Sequence, residues 1–123
     1  MANFENFFNF LKEKRNKNPI VPKLNLGLPI LKDELTFFGN LYLSETPVFK
    51  LPDNLKIFGN LDLSFTFLKT LPNNLMVNGN LDIRSTRIKE LPDDLYVDSY
   101  ILINYSNGEE IKKTNFNIKF ESI

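Results

Sequence analysis

Residues 31–110 read LKDELTFFGNLYLSETPVFK, LPDNLKIFGNLDLSFTFLKT, LPNNLMVNGNLDIRSTRIKE and LPDDLYVDSYILINYSNGEE, four copies of one twenty-residue unit. Counted from Leu31, Leu51, Leu71 and Leu91, position 1 is always Leu. Position 5 is Leu35, Leu55, Leu75 and Leu95, and position 7 is Phe37, Ile57, Val77 and Val97. Position 11 is Leu41, Leu61, Leu81 and Ile101, position 13 is Leu43, Leu63, Ile83 and Ile103, and position 18 is Val48, Leu68, Ile88 and then Gly108. If each unit is one coil, like positions stack at the parallel-strand spacing of roughly 4.8 Å, and these six columns form the interior.

The apolar-polar alternation at positions 5–7 and 11–13 predicts two short strands on two sides of the coil. Gly39, Gly59 and Gly79 at position 9 are expected to supply the corner between them through positive φ. Repeat four has Ser99 there, so its corner should be distorted. Pro52, Pro72 and Pro92 at position 2 mark a second corner, where a ladder amide is not missed. Thr46, Thr66, Thr86 and Ser106 at position 16 read as a structural hydroxyl ladder, bonding backbone groups of their own and the neighbouring coil, since an unpaired buried group costs about 1–3 kcal/mol. A catalytic threonine would need no copies.

The flanks leave this register. In residues 1–18, Phe4, Phe7, Phe8 and Leu11 fall at the i, i+3, i+4, i+7 spacing of one helical face, with Asn3 as N-cap and Lys12, Lys14, Arg15 and Lys17 at the negative end. This predicts a helix ended by Pro19, serving as a lid over the open core or as a docking helix. Residues 19–30 read as a connector and a degenerate rung, because Leu24-Asn25-Leu26 echoes the strand triplet. In 111–123, Phe116, Ile118 and Phe120 alternate with polar residues, predicting a strand that pairs with 101–103, parallel or antiparallel. Lys119 and Glu121 there suit protection of an open edge.

Composition narrows the function. The chain has 123 residues, 42% of them hydrophobic, which suits one domain with a core of its own. Fifteen basic residues balance fifteen acidic ones, so no long-range field draws it to nucleic acid. The absence of Cys and His excludes disulfides, Cys/His metal sites and histidine-based catalysis. There is no run of about 18 apolar residues, and the opening MANFENFFNF places its charges after its apolar part, unlike a secretory signal. The expectation is a soluble, cytoplasmic protein without cofactor or metal, and not an enzyme. Glycines spaced by the repeat and preceding strands give no phosphate loop.

A site should lie where outward positions depart from small or polar residues. Position 8 carries Phe38 and Phe58. Positions 14, 15 and 17 bring Phe65, Phe67, Arg84, Arg87 and Tyr105 onto neighbouring coils, an aromatic-plus-Arg mixture typical of interface hot spots. Those five are the first-choice partner-binding residues. Covering the coil edge or a homodimer contact is the alternative. Position 12 stacks Tyr42, Asp62, Asp82 and Leu102. The carboxylate pair could share a proton, hold a cation or meet a basic partner, or be a by-product of repetition relieved by Arg84.

The segment LDLSFTFLKTLPNNL, residues 61–75, resembles the L-x-L-x-x-N-x-L-x-x-LP-x-x-L core of bacterial leucine-rich repeats, with Thr66 where that family has its ladder Asn. It departs by three extra residues per unit, Phe58-Gly59-Asn60 in the second copy, which implies a second short strand. The array is also similar to short leucine-rich-type proteins encoded by phages and other mobile elements. The resemblance runs from 31 to about 106, roughly two thirds of the chain. It implies a mainly β, leucine-rich-repeat-like solenoid of about five to six rungs with an N-terminal capping helix and a C-terminal capping strand. It also implies a protein-binding module, monomeric or weakly dimeric. The narrower reading is an anti-CRISPR-like inhibitor of a host defence nuclease, acting in the host cytoplasm. The alternative is an RNA or DNA binder using Lys12, Lys14, Arg15, Lys17, Arg84 and Arg87 with stacking aromatics.

Overall fold

The computed structural model describes residues 20–104 and 119–122. A short helix, α1 (Ile20–Leu26), and a 3-10 turn (Lys32–Leu35) lead into the strands. The first coil carries β1 (Thr36–Phe38) and β2 (Leu41–Tyr42), the second β3 (Lys56–Phe58) and β4 (Leu61–Asp62), and the third β5 (Met76–Val77) and β6 (Leu81–Asp82). The fourth carries β7 (Tyr96–Val97) and β8 (Tyr100–Ile103), and β9 (Lys119–Ser122) follows. Odd-numbered strands β1-β3-β5-β7 make one parallel sheet, and β2-β4-β6-β8-β9 make the other. The chain is therefore a mainly β solenoid, with about three turns separating Thr36 from Tyr96.

The register is the one the letters demand. Thr36 pairs with Lys56, Lys56 with Met76 and Met76 with Tyr96, each a step of twenty residues. Leu41, Leu61, Leu81 and Ile101 likewise stack in one column, and all four are fully buried. A single coil contributes one side chain to each column and has no interior alone, so burial arises only between coils. β9 joins in parallel, with Ile101 opposite Phe120. That step is nineteen residues instead of twenty.

Four expectations are corrected. First, Leu24-Asn25-Leu26 is the end of α1 and not a degenerate rung. Ile20 and Leu24, one helical turn apart, join the core, and Pro22 sits in the first turn where its missing amide costs nothing. Gly27 at φ 67 closes the helix: the Leu28 amide donates to the Lys23 carbonyl at 2.9 Å and the Gly27 amide to Leu24 at 3.3 Å, the paired bonds of a Schellman ending. The helix expected in 1–18 lies outside the described residues.

Second, Leu31 is not a core residue; it is 64% exposed, and Leu35 is only half-buried. The 3-10 turn replaces the Leu-Pro corner here. Glu34 closes it by accepting the Leu31 amide at 2.9 Å and binds Lys23 of α1 at 2.7 Å, so Leu31 stays on the outside.

Third, position 9 needs glycine for two different reasons. Gly39 does have positive φ, 111°, whereas Gly59 and Gly79 do not. A Cβ on Gly59 would overlap the Gly39 backbone, and one on Gly79 would overlap the Asn60 side chain and crowd Gly59. Coils simply approach too closely there for a side chain. In the fourth coil the Ser99 amide bonds back to the Gly79 carbonyl at 3.2 Å, while the Gly39 amide bonds forward to Phe58 at 3.0 Å. The left-handed residues fall elsewhere: Asn54 and Asn74 at position 4, and Glu45, Phe65 and Ser85 at position 15.

Fourth, the threonine ladder bonds its own coil. Thr46, Thr66 and Thr86 donate to the carbonyls of Leu43, Leu63 and Ile83 at 2.7–2.8 Å. Side-chain bonds between coils include an asparagine ladder at position 10. Asn40 Oδ1 accepts the Asn60 amide, Asn60 Oδ1 the Asn80 amide, both at 2.8 Å, and Asn80 Oδ1 the Tyr100 amide at 3.0 Å.

Candidate functional site: an aromatic and basic side of the solenoid

After β4 the chain turns at 63–66, held by the Thr66 hydroxyl on the Leu63 carbonyl. Phe65 is the third residue of this turn, at φ 56. Such a position favours Gly or Asn, and another residue there costs about 1–3 kcal/mol. Phe65 nevertheless stands there with its ring out, 58% exposed. Two residues on, Phe67 is 66% exposed, and the Arg87 guanidinium of the next coil lies over its ring, 5.4 Å from the centroid. That cation–π contact holds the pair together at the surface. Leu68 between this side and the next outward residue is fully buried, so the chain alternates out, in, out.

The five residues first grouped together do not form one cluster. Arg84 turns to Asp82 instead, with Nη2 2.6 Å from Oδ2 and Nε 3.0 Å from Oδ1. The hydrogen bonds that the guanidinium donates to Asp82 raise the Arg84 pKa above its ordinary value. Phe65 and Arg84 still meet through the backbone, the Phe65 amide donating to the Arg84 carbonyl at 3.0 Å. Tyr105 lies outside the described residues.

The position-12 column is stacked as read, Tyr42 on Asp62 on Asp82. Its carboxylates are engaged locally. Asp62 Oδ1 accepts the Ser64 amide at 3.0 Å and the Ser64 hydroxyl at 2.6 Å. Asp82, buried, accepts the Arg84 amide at 3.0 Å besides the guanidinium. Tyr42 is exposed, its hydroxyl accepting a bond from the Asn40 amide group at 3.0 Å. Among the described residues no group of three or more His, Cys, Asp or Glu gathers where a metal ion could sit.

Sequence reasoning missed position 19. Phe49, Lys69 and Lys89 there are all exposed, beside Pro47, Phe67 and Arg87 at position 17. The available signal was the inward residue at position 18, which forces both neighbours outward. It also missed an open hollow of about 190 Å³ beside α1, lined by Leu24, Leu28, Ile30, Phe49 and Leu51. On the opposite flank, Phe38 and Phe58 stack with ring centroids 5.2 Å apart on the outer face of β1 and β3.

No helix among the described residues is long and apolar enough to cross a membrane. The chain matches no protein-family model, no curated protein and no solved structure.

Proposed function

We propose that this protein is a non-enzymatic binding module of leucine-rich-repeat type, about five to six rungs long with capped ends, that captures a protein partner on the side carrying Phe65, Phe67 and Arg87. One observation carries the reading: at a turn position that the neighbouring coils fill with polar Glu45 and Ser85, Phe65 leaves its ring 58% exposed. Glu45 and Ser85 share its left-handed backbone, so the turn itself does not require an aromatic ring. Phe67 and Arg87 add the aromatic and guanidinium chemistry that dominates interface energetics.

The local bonding of Asp62 and Asp82 supports a structural role for both over acid–base catalysis. The nucleic-acid alternative keeps Arg87 but finds Arg84 committed to Asp82. The narrower reading, a mobile-element inhibitor that occludes a host defence nuclease, rests on the family resemblance alone.

The test is affinity capture from the native host with the parent chain and a Phe65→Ala, Arg87→Ala variant side by side, quantified by mass spectrometry. Loss of a specific partner with unchanged circular dichroism is expected. Equal recovery by both chains would reject this side of the solenoid.

A further inference from the structure

We propose that residues 1–11 dock on the solenoid's own first coil, with one of Phe4, Phe7 and Phe8 filling the hollow between α1 and Phe49. Phe65, Phe67 and Arg87 do not line that hollow, so this contact and the partner-binding reading stand or fall separately.

The core itself needs no lid at this end. Ile20 and Leu24 of α1 join it, and Leu41, Leu43 and Val48 of the first coil are fully buried. The apolar surface left open lies beside α1. Leu28 and Phe49 are 49% and 63% exposed, and Ile30 is only half-buried. Phe49 stands against the end of the helix: its ring lies 3.6 Å from where a Cβ on Gly27 would be. Together with Leu24 and Leu51 these residues line about 190 Å³. An apolar cavity of about 150 Å³ takes up benzene, so the hollow has room for one phenyl ring. Position 19 carries Lys69, Lys89 and Glu109 on the later coils, so its one apolar residue, Phe49, belongs to the coil that α1 adjoins.

The occupant is the chain's own start, which runs directly into Ile20, the first residue of α1. Residues 1–11 hold Phe4, Phe7, Phe8, Phe10 and Leu11 and a single side-chain charge, Glu5, opposite in sign to the Lys50 that lines the hollow. Residues 12–17 carry Lys12, Lys14, Arg15 and Lys17 against Glu13, a composition that favours water and suits a tether. Residues 12–19 can span at most roughly 28 Å, whereas α1 is about 10 Å long, so residues 1–11 can fold back beside the helix as far as the hollow. Pro19 disfavours helical backbone at Asn18, which turns the segment away from α1 instead of prolonging it. Tethering gives the segment an effective concentration on the order of millimolar, ahead of a second copy or a free peptide.

The chain has neither Cys nor Trp, so introduced ones report alone. Three full-length chains carry Leu28→Cys together with Phe4→Cys, Phe7→Cys or Phe8→Cys, and controls carry Tyr96→Cys, exposed on the fourth coil, in place of Leu28→Cys. Under mild oxidation at least one Leu28→Cys chain should close an intramolecular disulfide about tenfold or more faster than its control, read by intact mass and peptide mapping. Disulfides that form only between molecules would assign the hollow to a second copy and overturn the proposal. Rates equal to the controls would overturn it as well. Separately, Phe49→Trp in the full chain should emit at shorter wavelength than the same chain with Phe7→Ser and Phe8→Ser added. Identical emission from the two would mean that the segment does not cover Phe49, and the proposal falls. If the serine changes lower the circular dichroism of the fold, the disulfide rates decide alone.

Discussion

Leu31 and Leu51 occupy the same place in the repeat, yet one is 64% exposed and the other 2%. The difference is in what surrounds them. Leu51 precedes Pro52, turns the Leu-Pro corner and enters a column continued by Leu71 and Leu91, all buried. Leu31 precedes Lys32 and a 3-10 turn bolted by Glu34 to Lys23 of α1, which keeps it outside. A repeated letter thus earns burial only where the corner geometry and a neighbouring coil come with it.

The largest way to break this comparison is truncation of the buried member. Leu51→Ala should destabilise by about 2–5 kcal/mol, read as a lower urea midpoint at constant slope. Gly59→Ala should follow at about 1–3 kcal/mol, because its methyl group meets Gly39 backbone that cannot yield. Asn60→Ala removes the acceptor of the Asn80 amide at a partly exposed site and should cost about 1 kcal/mol. Leu31→Ala should stay within about 0.5 kcal/mol in the same urea experiment, and a loss as large as that of Leu51→Ala would erase the contrast.

The smallest effect concerns pH. The Lys23 ammonium, hydrogen-bonded to Glu34, lowers the Glu34 carboxyl pKa below its ordinary value. A depressed folded-state pKa contributes stability that is present above the unfolded value and is lost as pH falls through the folded one. The stability difference between the parent chain and Glu34→Gln should therefore be present near neutrality and vanish on acidification. Both groups are solvent-screened, so it should also shrink with added salt.

The repeat length, the inward columns, the two strands per coil and the parallel stacking were legible before any coordinates, because each rests on a letter recurring every twenty residues. Recurrence itself was read unevenly. The glycine column was assigned to φ, when in Gly59 and Gly79 the reason is distance between coils. The asparagine beside it, in the repeated Gly-Asn pair, was passed over because an Asn in a corner looks like ordinary turn chemistry until its carbonyl is seen to accept the next coil's amide. At the candidate site, Phe65, Phe67 and Arg87 could be named from outward register. The division of Arg84 from that group could not, since the choice between Asp82 and the aromatic rings depends on side-chain reach.

By itself the sequence determined the period, and with it which residues lie above one another. Periodicity is a property of order along the chain, and stacking follows from it directly. Only the tertiary structure decided that Ile20–Leu26 is a helix closing on the core, that Leu31 is left outside, and that basic residues on separate coils share a side with exposed phenylalanines. Those outcomes turn on contacts between segments that share no repeat, where the burial available to one segment depends on the shape the others present.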